Sequence, residues 1–441
     1  MTAKADFDIV GVGVGPANLS LAALLYPHGD VRSLFLDLKN NFSWHDGQQL
    51  PDTTLQVSIF KDLVSLADPT NEFSFLSYLH DQGRIYHFIN AQFQAVPRRE
   101  YRNYLEWASR RIKSVVFGEQ VRSIDFDGVF VVRTDQRVVT ANNVAVGVGS
   151  RPWIPPAAPD RDTCSQFHVC EFVDKAAHLA GKRVAVVGGG QSGAEAFLDL
   201  VSRPADELPS RVSWFSRRRN FLPIDDTSFT NDFFMPSYAE YFYGLDRATR
   251  DHINQQNILL SDGISEATLR AIYQRTYYHR FIADSPGLIK LYPNRTVTQV
   301  REVGPRWDMT VVNNDSPGRP HHVEADAVIW ATGFRTGKSG LLAALEHRLE
   351  HDGDEYLVDR DYAIVWDGPR DRSIFVQNAV LAQRGLADKN LSLLAWRSQR
   401  IADRLRNVKR EENLSSFVEW DDEGIENREP CREVSEWPPS R

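Results

Sequence analysis

The sequence has few cysteines and no long apolar run. Among its 441 residues it carries 3 cysteines, Cys164, Cys170 and Cys431, without the spacing of metal ligands, which is typical of a protein from a reducing compartment. No apolar run approaches the ~18 to 20 residues that a membrane helix needs. We therefore expect a cytoplasmic protein that binds neither a membrane nor a metal.

The sequence also lacks an excess of positive charge and a fixed-period repeat. Its net charge is -8 at pH 7, which argues against a nucleic-acid partner because phosphate backbones require clustered Lys and Arg. Hydrophobic residues make up 42% and charged residues 25%, as in ordinary globular proteins. At ~100 to 200 residues per domain, this length predicts two or three domains.

The first motif that is present joins a strand, a glycine turn and a helix. Residues 7 to 11 read FDIVG, a glycine turn follows, and LSLAALL has a helical pattern. Such a turn lets the backbone approach a pyrophosphate at a helix N-terminus. The next predicted strand, VRSLFLDL, carries an acid where a ribose hydroxyl is contacted, and Asn18 replaces the usual third glycine. The candidate residues of this dinucleotide site are Gly13, Gly15, Pro16, Asn18 and Asp37.

A second motif of this kind lies near the middle of the chain. Residues 183 to 187 read RVAVV, followed by a complete GxGxxG turn and the helical AEAFLDLV. The next strand, RVSWF, ends in Ser216 and three arginines instead of an acid. Arginine binds a 2′-phosphate that an acid would repel, so the pattern favours NADPH over NADH. The alternative is that the three arginines form a solvated charge run. The candidates are Gly188, Gly190, Gln191, Ser192, Gly193, Arg217 and Arg218.

Two further segments relate the two motifs to each other. VAVGVGSRPWIPP (144–156) and DAVIWATGF (326–334) are apolar strands with small residues at their ends, among them the candidate cofactor contacts Thr332 and Gly333. Both are similar to the segments with which two-dinucleotide flavoproteins return the chain to the FAD domain. We predict an α/β fold with two doubly wound Rossmann-like domains and a small helical substrate domain. The predicted parts are an FAD-binding domain (1–156 and 325–412), an NADPH-binding domain (157–224 and 285–324), a helical region (225–284) and a loosely ordered tail (413–441).

These motifs and three longer segments resemble the siderophore-type amine N-hydroxylases. Members of that family are flavin monooxygenases that hydroxylate the side-chain nitrogen of lysine or ornithine, or one amine of a diamine. The resemblance implies that NADPH reduces FAD, that O₂ adds to give a C4a-hydroperoxyflavin, and that a neutral primary amine is hydroxylated for hydroxamate siderophore biosynthesis. By analogy it implies a homo-oligomer, a tetramer or a dimer. The distinctive segments are residues 42–79, residues 98–108 (RREYRNYLEWA) and residues 229–245 (FTNDFFMPSYAEYFYGL).

The resemblance also implies roles for individual residues. Lys61 and Asn231 match residues that hold a substrate carboxylate, and Gln56 matches a position that faces the flavin. Trp44 and His45 match residues packed against the isoalloxazine, and His45 is also a candidate for proton transfer. Outside this context, Lys61 reads as a surface lysine and Asn231 as a structural asparagine. The candidates in the segment that closes over flavin and substrate are Gln377, Asn378 and Leu391.

The substrate is the least determined prediction. SDGISEATLRAIY (261–273) is similar to the lysine and diamine members, which places L-ornithine third. The pattern favours a diamine, cadaverine or putrescine, over L-lysine, but Lys61 counts against this because a diamine has no carboxylate. Two other classes stay open: a flavin monooxygenase that oxidises a thioether or a ketone, and a flavin reductase or dinucleotide-binding regulator without oxygen chemistry.

Overall fold

The computed structural model of the chain describes residues 4–93, 95–159, 163–283, 285–337, 339–410 and 416–420. Cys431 and the predicted tail 413–441, apart from 416–420, lie outside these residues. Within the described ranges, no helix has both the length and the apolar character required to cross a bilayer.

Strands and helices alternate along most of the described chain. The strands are β1 (Phe7–Val12), β2 (Ser33–Asp37), β3 (Val115–Phe117), β4 (Val121–Asp127), β5 (Val129–Thr134), β6 (Val138–Val146), β7 (Arg151–Pro152), β8 (Gln166–His168), β9 (Arg183–Val187), β10 (Arg211–Phe215), β11 (Ile289–Tyr292), β12 (Arg295–Val303), β13 (Arg306–Asn313), β14 (Ser316–Ala325), β15 (Ala327–Trp330), β16 (Phe334–Arg335), β17 (His351–Asp352), β18 (Glu355–Tyr356) and β19 (Ile374–Val376). The α-helices are α1 (Pro16–Leu25), α2 (Phe75–Asp81), α3 (Ile85–Asn90), α4 (Arg98–Arg111), α5 (Phe172–Lys175), α6 (Gln191–Ser202), α7 (Pro236–Gly244), α8 (Arg247–Gln256), α9 (Leu259–Asp262), α10 (Glu266–Phe281), α11 (Leu381–Arg384) and α12 (Leu394–Leu405).

The first glycine motif lies in a seven-stranded sheet of order β3-β2-β1-β6-β5-β4, with β19 also paired to β6. β1 runs parallel to β2 and β6, and β19 runs parallel to β6. The apolar strand β1 and the nearly all-apolar helix α1 are buried together, because α1 packs between the sheet and the helices α4 and α12. The carboxyl ends of β1, β6 and β19 therefore meet at one edge, where ligands of doubly wound sheets bind.

The second glycine motif lies in a five-stranded parallel sheet of order β11-β10-β9-β15-β8. In this order β15 lies between β9 and β8. The strand β15 was expected in the FAD-binding domain, but it pairs with β9 and β8 in the second sheet. All four residues of β15 are buried, as expected for a strand that has a paired strand on each side.

A three-stranded antiparallel sheet, β12-β13-β14, covers one face of the second sheet. Its buried side chains include Val297, Trp307 and Met309, which pack in one cluster with Phe215 and Trp330 of the parallel sheet. The sequence analysis assigned these residues to the NADPH-binding domain but did not predict this sheet. β15 follows directly from the covering sheet and takes an interior position in the parallel one, between β9 and β8.

Two adjacent passages connect the two large sheets. The chain leaves the first sheet through β7 and returns from the second through β16, and these two strands pair antiparallel. The backbone N–H of Trp153 also donates to the carbonyl of Gly333 at 3.0 Å. Both passages are thus held side by side.

The described part of residues 225–283 is helical. It contains a 3₁₀ turn, Thr230–Phe234, followed by α7 to α10. Asp246 and Ser265 cap α8 and α10 by accepting the N–H groups of Thr249 and Thr268, which satisfies otherwise unpaired donors. The 3₁₀ turn and α7 face the segment 386–393 in a shared apolar cluster.

Candidate active site

The first glycine loop is shaped by a close backbone approach. Gly13 has a φ of +87°, and a Cβ there would lie 2.6 Å from the carbonyl oxygen of Gly147. Backbone conformation and space therefore both exclude a side chain at Gly13. Gly15 precedes α1, and a Cβ there would meet no atom within 4 Å. This open space adjoins the unpaired N–H groups of the helix, with Pro16 at its first position.

Asn18, in place of the usual glycine, is a buried structural residue. Its Nδ2 donates to the carbonyls of Val12 and Gly13 at 3.1 and 2.8 Å. Its Oδ1 accepts from Gln377 Nε2 at 2.6 Å. Gln377 is also buried, and among the described residues its Oε1 has no hydrogen-bond partner. An orphaned acceptor at this sheet edge is suited to a ligand donor.

Asp37 closes the first loop from the end of β2. One carboxylate oxygen accepts the backbone N–H of Val14 at 2.7 Å, and the other accepts that of Lys39 at 2.9 Å. Each oxygen can accept a further hydrogen bond. The contact of Asp37 with a ribose stays a prediction, and this position is compatible with it.

The second glycine loop is packed against the end of β15. Gly188 has a φ of +143°, and a Cβ there would lie 1.9 Å from the carbonyl oxygen of Ala331. A Cβ at Gly193 would lie 2.4 Å from the carbonyl of Gly188, so the first turn of α6 also requires glycine. α6 begins directly after Gly190, and Ser192 lies in its first turn. The geometry is that of a pyrophosphate-binding helix start.

The three arginines after β10 differ in their partners. Arg218 donates to the carbonyls of Gly189 and Asp262 at 3.1 and 2.7 Å, so it braces the glycine loop. Arg219 pairs with a surface carboxylate at 3.1 Å. Arg217 is exposed, and within the described part of the chain no ion pair involves it. Arg217 is therefore the guanidinium most available for a phosphate.

A polar junction joins the two dinucleotide-binding folds. Gln56 Nε2 donates to Gln191 Oε1 at 3.2 Å, and the same oxygen accepts the backbone N–H of Ser265 at 2.7 Å. Beside them, Arg98 binds Glu195 with two hydrogen bonds of 2.8 and 2.7 Å. Gln56 thus lies where the first fold meets the start of α6.

Four aromatic rings form a row at this junction. The ring of His45 lies 4.9 Å from that of Trp44 and 6.1 Å from that of Phe334, and His168 lies 5.1 Å from Phe334 on the other side. His168 Nε2 also contacts the carbonyl of Gly333 at 3.0 Å. The predicted contacts Trp44, His45 and Gly333 are therefore brought together.

Both imidazoles of this row are uncharged at neutral pH. His45 is exposed as a residue, but surrounding protein atoms desolvate its ring, and this desolvation, with the nearby Arg98 cation, lowers its pKa to about 4. Burial lowers the pKa of His168 to about 4 as well. Since an alkylammonium has an ordinary pKa of about 10.4, such a ring is a poor acceptor of its proton. A proton-transfer role of His45 stays a prediction.

Lys61 is a partly buried cation. Its Nζ donates to Ser392 Oγ at 2.9 Å and lies 5.8 Å from the ring centroid of Phe234. Partial burial lowers its pKa. In the described ranges no carboxylate forms an ion pair with Lys61, so an anionic ligand would find a desolvated ammonium here.

Asn231 lies on the 3₁₀ turn that also carries Phe234. Its Nδ2 donates to the carbonyls of Asp226 and Thr227 at 2.9 and 3.1 Å, and the residue is exposed. No hydrogen bond joins Asn231 to Lys61 in the described residues. The structure brings the turn, but not the asparagine amide itself, into contact with the lysine.

The remaining candidates line the connections near the sheet edge. Asn378 has a φ of +58° and accepts from Arg397, whose Nη1 also binds Asp388 at 3.0 Å. Leu391 is partly buried against the core of the first fold. Thr332 donates its hydroxyl to a backbone carbonyl of the neighbouring passage. These contacts fix the backbone around the site.

Sequence reasoning missed the Arg98 and Glu195 pair. Arg98 lies in a segment that carried the resemblance, but no role was assigned to it. The two residues are 97 positions apart, and nothing in either local pattern indicates the other.

The fold and the two loops define the class of protein. Two sheets, one mixed with parallel central strands and one fully parallel, each open through a glycine loop onto a helix start, and they are two dinucleotide-binding folds in one chain. Residues 5–336 match the family model of L-lysine 6-monooxygenase/L-ornithine 5-monooxygenase, and the chain belongs to this family. The predicted family, the monooxygenase activity and the α/β class with two Rossmann-like domains are therefore confirmed.

Individual relatives agree with this membership. The chain is 38% identical to the L-lysine N6-monooxygenase of Escherichia coli, over 91% of this chain and 95% of the relative. It is similar to the FAD-bound cadaverine monooxygenase of desferrioxamine biosynthesis from Erwinia amylovora, with a TM-score of 0.87, 27% identity and coverage of 94% and 99%. It is also similar to an ornithine N-hydroxylase of Kutzneria sp. 744 with reduced FAD, NADP⁺ and L-ornithine, with a TM-score of 0.84, 28% identity and coverage of 91% and 99%.

Proposed function

We propose that the protein uses FAD, NADPH and O₂ to hydroxylate the side-chain amine of L-lysine in hydroxamate siderophore biosynthesis. The observation that carries the substrate is Lys61, a desolvated ammonium without a carboxylate partner among the described residues. The 38% identity with a lysine enzyme supports the same choice. This differs from the preference for a diamine drawn from the sequence pattern.

The residues of the first loop fit an FAD. Gly15 leaves open space at the start of α1, where a pyrophosphate would accept backbone N–H groups. Asp37 offers free lone pairs to a ribose, and the orphaned Oε1 of Gln377 would accept a cofactor hydroxyl. Trp44 and His45 would provide uncharged surfaces beside the isoalloxazine.

The residues of the second loop fit an NADPH. The start of α6 would hold the pyrophosphate, and Arg217 would bind the 2′-phosphate while Arg218 keeps the loop in place. The chemistry that the bound cofactors supply is hydride delivery by NADPH and oxygen activation by the reduced flavin. Gln56 and Gln191 would lie between the two.

The charge of Lys61 discriminates between the candidate substrates. L-Lysine brings a carboxylate to this site, whereas cadaverine brings a second ammonium that Lys61 would repel. A hydrogen bond between charged groups stabilises by about 1.5 to 3 kcal/mol, which corresponds to roughly 10- to 150-fold in affinity. Ser392 and the turn of Asn231 hold the lysine in place from two sides.

Hydroxylamine formation and NADPH oxidation with L-lysine, cadaverine, putrescine and L-ornithine test this function. We expect the highest kcat/KM with L-lysine. Lys61→Ala should raise KM for L-lysine at least about tenfold and leave that for cadaverine unchanged or lower, whereas Lys290→Ala, at an exposed site on β11, should change neither. H₂O₂ without hydroxylamine from every amine would contradict the activity, and equal effects of Lys61→Ala on both substrates would contradict the carboxylate contact.

We further propose domain boundaries, location and assembly. An FAD-binding domain of 1–156 and 331–412 and an NADPH-binding domain of 157–224 and 285–330 are supported by the pairing of β15. The helical region 225–284 and the tail 413–441 keep the limits drawn from the sequence. The low cysteine content supports a cytoplasmic enzyme, and the family analogy supports a tetramer or a dimer.

A further inference from the structure

A short C-terminal segment contacts the helical region. Residues 416–420 end in Trp420, whose ring lies 4.7 Å from that of Tyr238, 5.5 Å from that of Phe233 and 6.1 Å from that of Tyr241. In the same segment, Phe417 is 99% exposed. Trp420 is therefore the docked side chain of this segment, and Phe417 makes no comparable contact.

One of these contacts leads directly to the substrate site. Phe233 lies between Asn231 and Phe234 on the 3₁₀ turn, and the ring of Phe234 lies under the ammonium of Lys61. Phe233 and Tyr238 also pack edge to face at 4.8 Å. A displacement of Phe233 would therefore move the backbone that carries both Asn231 and Phe234.

The inner side of this turn is already held in place. Phe234 is buried in an apolar cluster with Ala239, Leu260, Leu386 and Leu393. Because Leu393 follows Ser392 in the chain, this cluster joins the turn to the residue that binds Lys61. Phe233 is only partly buried against the same cluster, so its outer face depends on Trp420.

The contact of Trp420 with the turn depends on its ring and not on its indole N–H. Nε1 is buried, and among the described residues it has no hydrogen-bond partner. The contact with the turn is thus apolar and aromatic, and a phenylalanine ring can reproduce most of it. A small aliphatic side chain cannot.

We propose that Trp420 is a positioning residue for the substrate site, which it acts on by holding the turn 230–234 against Lys61. This inference rests on the proposed function, since it assigns the turn to substrate binding. It gives the C-terminal segment a defined task in the reaction. Removal of the ring should loosen the turn without affecting either dinucleotide loop.

Three variants of the full-length enzyme test the proposal: Trp420→Ala, Trp420→Phe and the matched control Phe417→Ala. We expect Trp420→Ala to raise KM for L-lysine about five- to tenfold and to lower hydroxylamine formed per NADPH, because loss of aromatic pairs weakens the turn by that order. Bound FAD and the rate of flavin reduction by NADPH should stay unchanged. Trp420→Phe should restore most of the loss, and Phe417→Ala should match the wild type.

A second measurement does not depend on the amine substrate. Reaction of the free enzyme with acetic anhydride, followed by mass spectrometry, reports the reactivity of Lys61. We expect at least about threefold faster labelling in Trp420→Ala than in Phe417→Ala, because the cover over the ammonium is loosened. Equal labelling of Lys61 in both variants would overturn the proposal. It would also be overturned if Trp420→Phe and Trp420→Ala lost FAD and raised KM for L-lysine to the same extent. A wild type that hydroxylates no amine would instead overturn the proposed function, whatever the labelling shows.

Discussion

The two glycine loops show the same motif in two different settings. In the first, the third glycine is Asn18, and its side chain is fully buried and bonded to backbone carbonyls of the loop. The acid Asp37 that closes this loop is 5% exposed. In the second, the glycines are complete and the charged residue beyond them, Arg217, is exposed. The first loop is thus closed by buried polar side chains, whereas the second carries its charged residue at the surface.

The largest difference should follow from a methyl group on the first loop. Gly13→Ala combines a φ of +87° with a Cβ 2.6 Å from a carbonyl oxygen, so we expect a loss of several kcal/mol, about 3 or more, and a protein without bound flavin. Gly15→Ala meets no atom within 4 Å and should fold normally but bind FAD weakly. Thermal unfolding and flavin absorbance distinguish the two. Normal stability of Gly13→Ala would show that the close approach of Gly13 to Gly147 does not constrain the first loop.

A smaller effect, confined to the second loop, should come from Arg217→Ala. Loss of a charge-assisted phosphate contact predicts a KM for NADPH higher by roughly 10- to 100-fold, with KM for NADH unchanged. Arg219→Ala, whose guanidinium pairs with a surface carboxylate, should alter neither value. Steady-state kinetics with both nucleotides measure this. If Arg219→Ala were the damaging variant, the assignment of the free guanidinium would be wrong.

The last effect should appear in the pH dependence of stability. The pKa of His168, on β8 of the second sheet, is about 4 in the folded protein against an ordinary value near 6.5. Below pH 6.5 the unfolded chain binds a proton that the folded chain does not, so stability falls as the pH drops from 6.5 towards 4, by about 2 kcal/mol at pH 4.5. Urea unfolding at pH 7 and pH 4.5 should show a smaller fall in His168→Gln. His252→Gln, at an exposed site on α8, is the control, and an unchanged fall in His168→Gln would contradict the cause.

The parts of the fold that follow from local pattern could be predicted. Both strand, turn and helix units are encoded by contiguous apolar runs and glycines, so their existence and their sheet edges were expected. The position of β15 was not, because four consecutive buried apolar residues fit the centre of either sheet. Pairing with β9 places β15 in the second sheet, and such pairing depends on residues more than a hundred positions away.

The site shows the same limit at the level of side chains. Lys61 and Trp44 were singled out by resemblance, and the structure gives them partners that suit the expected chemistry. The commitment of Arg218 to the carbonyl of Asp262 depends on a distant turn, so spacing alone could not separate it from Arg217. Trp420 carried no signal, because its segment has no apolar period and its contacts exist only after folding.

The hydrogen bond between Trp153 and Gly333 has a consequence for the way the two sheets are connected. This bond, 3.0 Å from the nitrogen of Trp153 to the oxygen of Gly333, holds together the two ends of the segment 153–333. It lies next to the pairing of β7 with β16. Segment ends that lie this close together are typical of a domain inserted into the chain of another domain. The chain thus enters and leaves the second sheet at one place, through two passages that hold each other.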